Sequence, residues 1–286
     1  MLSEVMSHVI NVLMVSSIYV LVALGFALVF SVMRIMNFAH GAIYMIGGFV
    51  CYSFWIPLGL GPWVALPLTM VATGLFGLVL EKFCFRPFRK DFEKATIMAI
   101  ALVIILKTGA DLTVGPHGKS MPPLVSGNIH LGSVTFGADR LMVLLIACIL
   151  LTVLMLFVKK TRFGQAMLAI AQDPDGAALM GINTDRISGF VCAMGCGLAG
   201  LAGGLVGSVL VLHVSIGDTM LVKVIGVIIL AGIGSIGGVW AGGLAMGALD
   251  ALGPYFLPNV VSDPLGLALV VLILVIRPQG FFGQEA

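Results

Sequence analysis

Charge is what this sequence has least of. Asp, Glu, Lys and Arg make up 10% of its 286 residues, where a soluble domain carries about 25%. Apolar residues take their place, at 60% of the chain and a mean hydropathy of +1.15. That balance excludes a soluble fold. Several apolar runs reach the ~20 residues that a spanning helix needs, and the short alternating segments of a spanning barrel do not occur. No series of carboxylates is spaced for a proton or ion relay. No His, Asp or Glu cluster has ligand spacing, and no Ser stands in a credible set with His and Asp. Enzyme chemistry therefore has no candidate residues, and no metal is expected. A Walker-type G-x-x-x-x-G-K-[ST] loop is absent, so any ATP hydrolysis belongs to another subunit. The five cysteines, Cys51, Cys84, Cys148, Cys192 and Cys196, form no C-x-x-C pair; Cys192 and Cys196, one helical turn apart, read as packing. The N-terminus carries Glu4 and no Lys or Arg before a long apolar run, so no cleavable signal peptide is expected. A net charge of +2 gives no reason to expect a nucleic-acid partner.

What is present is one all-α transmembrane domain over residues 1–286. It is read as a polytopic helical bundle with about eight or nine membrane segments, some of them Gly-broken or re-entrant. Spans are expected at about His8–Val32, up to Ile56, up to Leu80, Ala95–Leu112, Leu141–Val158, Ser188–Val214, Met220–Ile233, Val239–Phe256 and Pro264–Ile276. The Glu81–Lys94 loop holds five basic residues and the Lys159–Arg186 loop four, while the Gly- and Pro-rich Thr113–Arg140 loop holds only Lys119 and Arg140. The positive-inside rule makes the first two cytoplasmic and the third external. Nine crossings put the N-terminus outside; a re-entrant run would make eight and put it inside. Within the spans, Lys107 and Asp111 are four apart and are expected to pair, Lys223 to snorkel, and Asp250 to be satisfied by a neighbouring helix. Gly195, Ala199 and Gly203 form a small-residue ridge for close helix packing, within the subunit or between subunits.

The polar Lys159–Ile187 stretch lies between two apolar spans. Asp173 can cap free N–H groups and Pro174 fits a first helical turn, so Asp173, Pro174, Asp175, Gly176, Ala177 and Ala178 begin a short helix that ends at Gly181. A helix this short is marginal alone in water. It reads as a docking helix for a soluble subunit, with an ordinary cytoplasmic loop as the alternative. Two glycine-rich interruptions also stand out: Asn37–Gly48, and Gly232–Gly243, which includes Gly234 and Ser235. Backbone that leaves helical geometry at membrane depth must face protein or water, and paired broken segments point to a transport pathway. Asn37, His40 and Tyr44 fall on one side of a continuous helix, with Gly41 between them. They are pathway candidates. The plainer reading has Asn37 capping a helix and His40 bonded to nearby backbone.

RIMNFAHGAIYMIGG, TRFGQAMLAIAQDPDGAALMGIN and GIGSIGGVWAGG resemble, in this order, the LivH-type permeases of bacterial branched-chain amino acid ABC importers. The resemblance covers essentially the whole chain and is specific for the family, less so for the solute, since relatives are assigned to branched-chain amino acids, urea, short amides and aromatic acids. It implies a multi-pass subunit of a bacterial inner membrane. A second permease of related sequence, two cytoplasmic ATPases that bind ATP and magnesium, and a periplasmic solute-binding protein would complete the importer. It further implies that Asp175-Gly176-Ala177-x-x-x-Gly181 occupies the E-A-A-x-x-x-G pattern that couples such permeases to their ATPases, with Asp for Glu and Gly for Ala. An ion-coupled secondary transporter is the alternative from a different class.

The topology is testable. In a cysteine-free background, a cysteine at Lys119 should be labelled by an impermeant reagent in whole spheroplasts, and cysteines at Lys90 and Lys160 should not. The opposite pattern sinks the assignment.

Overall fold

The structure is a computed structural model, which describes residues 2–89, 91–115, 117–131, 134–232, 235, 237–258, 264–277 and 279–280. It is all-α apart from one hairpin. The helices are α1 (Leu2–Met33), α2 (Ala39–Trp55), α3 (Pro62–Leu80), α4 (Phe92–Val114), α5 (Ala138–Lys160), α6 (Arg162–Gln172), α7 (Pro174–Leu179), α8 (Thr184–Gly207), α9 (Ile216–Ala231), α10 (Gly238–Phe256) and α11 (Leu265–Ile276). Among the described residues, α1, α3, α4, α5 and α8 are long and apolar enough to cross a bilayer.

Burial separates these five into two groups. The apolar windows of α1 and α8 are 78% and 83% buried, against 33%, 17% and 28% for α3, α4 and α5. So α1 and α8 form the centre, and α3, α4 and α5 turn apolar outer faces away from it, with Leu75, Ile104, Ile105 and Ile149 exposed. A bilayer supplies no hydrophobic drive between helices, so the centre must hold by close backbone approach. Glycines permit it. A Cβ on Gly47 would stand 2.1 Å from the Gly200 Cα, one on Gly203 2.0 Å from the Tyr44 carbonyl oxygen, and one on Gly195 2.8 Å from that of Gly25. The small-residue ridge of α8 thus packs inside the subunit, against α1 and α2. Cys192 and Cys196 are buried on the side of α8 that meets α3, where a Cβ on Gly77 would stand 2.7 Å from the Cys196 Cβ, and their sulfurs lie 4.0 Å apart.

Sidedness follows from both ends of α1. Asn11 accepts from Arg140 Nη1 at 3.2 Å, and the Arg34 guanidinium donates to the Ala171 carbonyl oxygen of α6 at 2.9 Å. The start of α1 therefore lies with the connection between α4 and α5, and its end with the connection between α5 and α8. The α4–α5 connection carries an antiparallel hairpin, β1 (Asn128–Leu131) with β2 (Val134–Gly137). It is also tied to the turn after α8 by a two-way bridge between Lys119 and Leu212, which is why α8 stops at Gly207, short of Val214.

Several expectations change. The basic Glu81–Lys94 loop is not a free solvated loop: α3 runs on through a π-turn (Glu81–Phe85) and a 3₁₀ turn (Arg86–Phe88). Glu81 is buried and held by Arg86 at 2.9 Å and by Arg89, and both arginines also reach Asp185 at the start of α8. Lys107 pairs with Asp218 of α9 rather than with Asp111. Lys223 does not snorkel. It is buried and pairs with Asp250 at 2.6 Å.

The glycine packing makes a direct prediction. Ala exceeds Gly by about 1 kcal/mol in helix propensity, so Gly109→Ala on α4, where an added Cβ meets nothing within 4 Å, should leave thermal unfolding of the detergent-purified chain unchanged or slightly raised. Gly47→Ala should lower it despite the better propensity, by the roughly 1–3 kcal/mol typical of overpacking. Equal midpoints for the two variants would remove the close approach as the source of stability.

Candidate functional site

The chain reverses after α1. Arg34 takes φ +54°, a left-handed conformation for a non-glycine residue. The next residues then run back along α1, so that His40, at the start of α2, reaches Val22, eleven positions before the end of α1. Its Nε2 lies 3.1 Å from the Val22 carbonyl oxygen, to which it donates, and its ring meets Phe26 edge-on at 5.6 Å. At ~1.5 Å per residue the retreat is about 16 Å. The non-helical link is thus lined by protein rather than lipid, as its backbone requires. Asn37 does not cap α2, whose first N–H groups have no side-chain cap. Asn37 is buried with both amide atoms unpartnered, as are His40 Nδ1 and the Tyr44 hydroxyl. Gly41 is a packing position: a Cβ there would come 2.3 Å from the Gly217 carbonyl oxygen of α9.

Tyr44 borders the main cavity. This space of about 550 Å³ lies between α1, α2, α8, α9 and α10, with Asn11 and Arg140 at its outer end. Its wall is mainly apolar, from Met14, Ile18, Val206 and Met220, and is broken by Tyr19, Lys223 and Asp250. Asp250 accepts from Tyr19 of α1 and pairs with Lys223 of α9, so neighbouring helices satisfy it as expected. Of the pathway candidates among the described residues, only Tyr44 lines this cavity. Asn37, His40 and Gly41 sit behind it in the packing of α2. Ser235 accepts from the Gly238 N–H at 3.1 Å and so starts α10, while Gly234 lies outside the described residues. Lys223 was missed as a cavity residue because its partner is 27 positions away; an ammonium in an apolar run was the available signal.

A second candidate region lies at the opposite end, beyond α5. Thr161 caps α6 by accepting from the Gly164 N–H at 3.0 Å, and α6 buries Met167 and Ile170. Asp173 then caps α7, accepting from the N–H groups of Asp175 at 3.1 Å and Gly176 at 3.0 Å. This explains Gly176, because a Cβ there would fall 2.3 Å from the Asp173 carboxylate. At the far end Gly181 has φ +83°, its N–H reaches Ala178 and that of Ile182 reaches Ala177. That is the paired closure of a glycine-ended helix. Pro174 opens the first turn, with Asp175 behind it. The small residues divide: Ala177 is buried against the subunit's own helices, and Ala178 is exposed. The large exposed surface comes from Leu179 and Met180, at 89% and 84%, which the motif reading passed over.

Residues 8–276 match the family model described as branched-chain amino acid transport system / permease component. The chain is 31% identical over 294 residues to the high-affinity branched-chain amino acid transport system permease protein LivH of Escherichia coli, across 98% of this chain and 96% of that protein. It is 30% identical over 294 residues to the permease protein BraD of Pseudomonas aeruginosa, with the same coverage. It is 25% identical over 296 residues to LivM of Escherichia coli, across 95% of this chain and 69% of that protein. No solved structure matches. A model matched over nearly the whole length, on a multi-pass helical fold with an inner cavity, places the chain plainly: it belongs to the branched-chain amino acid transport system permease family, as a transport subunit and not an enzyme.

Proposed function

We propose that this chain forms half of the translocation pathway of an ATP-driven importer for branched-chain or related amino acids in a bacterial inner membrane. The observation that carries the coupling is α7. It is a single short helix, capped at both ends within the chain, and it leaves Leu179 and Met180 almost fully exposed. Apolar side chains displayed in water mark a contact surface. A soluble ATPase subunit fits this position, one under each permease, and would bind the ATP and magnesium. Similarity to both LivH and LivM supports a second permease of related sequence as the other half, and the outer-end cavity suits a solute handed over by a periplasmic binding protein. Family membership favours this reading over ion-coupled transport, and branched-chain amino acids over urea, short amides or aromatic acids. Tyr44 would border the pathway, with Asn37, His40 and Gly41 fixing α2 behind it and Ser235 setting the start of α10.

The coupling is tested at the exposed residues, since bulk at buried Ala177 would disturb the subunit itself. Leu179→Asp and Met180→Asp should leave the permease in the membrane at normal levels, weaken ATPase co-purification and cut ATP-driven uptake. Gly181→Val should do the same by straining a left-handed position. If all three variants retain ATPase and transport like wild type, α7 is a passive connection and the proposal fails.

A further inference from the structure

The cavity beside Tyr44 holds an oppositely charged pair inside a largely apolar wall, and helix packing alone does not call for one. Buried ion pairs are no more stabilising than well-packed apolar residues. Charged groups inside a membrane bundle mark functional sites by default. Here the Lys223 ammonium on α9 and the Asp250 carboxylate on α10 stand 2.6 Å apart, with side chains only 10% and 14% exposed, and both line the cavity. Tyr19 donates to the other oxygen of Asp250. The Tyr44 hydroxyl, buried in the same wall, has no protein partner. A volume of about 550 Å³ falls within the ~300–1,000 Å³ of small-molecule sites.

We propose that Lys223 and Asp250 are a solute-contacting station that recognises the zwitterionic head of an amino acid, with the apolar wall taking its side chain. The inference rests on the importer reading above and names the solute class that the site accepts. Its logic is charge balance. A zwitterion can set its carboxylate by Lys223 and its ammonium by Asp250, exchanging one ion pair for two without adding net charge to a dry cavity. A carboxylic acid or an amine brings one charge and leaves one protein charge without its equal, which is costly at low dielectric. Urea or an amide brings none and cannot part the pair. Tyr44 offers the head group a further hydrogen bond. Met14, Ile18, Val206 and Met220 suit a branched aliphatic side chain.

The test uses the full complex in proteoliposomes, with L-leucine as solute, its binding protein outside and ATP at the ATPase side. Lys223→Gln/Asp250→Asn removes both charges while keeping shape, and Lys223→Asp/Asp250→Lys exchanges them. Both paired variants should assemble and hydrolyse ATP at the wild-type basal rate. Uptake should fall at least about tenfold, as expected when a charge-assisted contact at each end of the solute is lost or inverted. Wild-type uptake by either paired variant would make the pair a strut and overturn the proposal. So would a wild-type complex that moves urea or an amide but not L-leucine. If neither paired variant assembles, Tyr44→Phe decides: reduced uptake at unchanged assembly and ATPase rate supports the station, and unchanged uptake overturns it. A wild-type complex that shows no ATP-driven uptake of any of these solutes is a different result, since it removes the importer reading itself.

Discussion

The contact of α8 with α1 and α2 without intervening side chains is the constraint on which the rest depends. Where Gly25 meets Gly195, and Gly47 meets Gly200, backbones touch. In lipid this matters more than in water, because apolar surface gains nothing by leaving hydrocarbon and only close contact favours one helix pair over another. Once α1 and α8 are fixed, the others take places around them. α3, α4 and α5 become the apolar outer side, and α2, α9 and α10 close the cavity.

The same constraint sorts the polar groups. Backbone and side-chain dipoles at membrane depth need partners, and the chain meets that need in two ways. At the end of the bundle where α8 begins, Glu81 is enclosed by Arg86 and Arg89 and tied to α8 through Asp185, so residues that read as topology signals also brace the fold. Mid-bundle, the re-entrant link lets His40 use a carbonyl of α1, while Asn37, His40 and Tyr44 keep buried atoms without partners. Such atoms are uncommon in rigid interiors; here the Tyr44 hydroxyl belongs to a residue of the cavity wall, and those of Asn37 and His40 lie in the packing of α2 behind it.

What the residues disclosed in advance was local. Hydropathy marked the spans; Asp173 and Pro174 marked the start of α7 and Gly181 its left-handed end, because caps depend on residues a few positions apart. What stayed hidden was set by contacts distant in sequence. Lys107 has a neighbour four residues on, yet its partner is Asp218, 111 positions away. Lys223 near a helix end looked free to reach water until α10 brought Asp250 against it. Ala177 and Ala178 are indistinguishable as letters, and only the packing of α7 on α6 turns one inward. The fold class and the short helix α7 were thus legible, and the cavity and its charged pair were not.

The pairing of Lys223 with Asp250 also bears on how the protein is made. A lone ammonium or carboxylate at the bilayer centre costs about 2.5–3.5 kcal/mol on the scale of helix insertion. α9 carries Lys223 and α10 carries Asp250, and the two helices are joined by a short glycine-rich connection. Entering lipid separately, each helix would carry one of these charges unmatched. Entering together, as a hairpin with the pair already formed, they leave only Asp218, at the start of α9, for Lys107 of α4. The last third of the chain is therefore best inserted two helices at a time, with α9 retained at the insertion machinery until α10 has been synthesised.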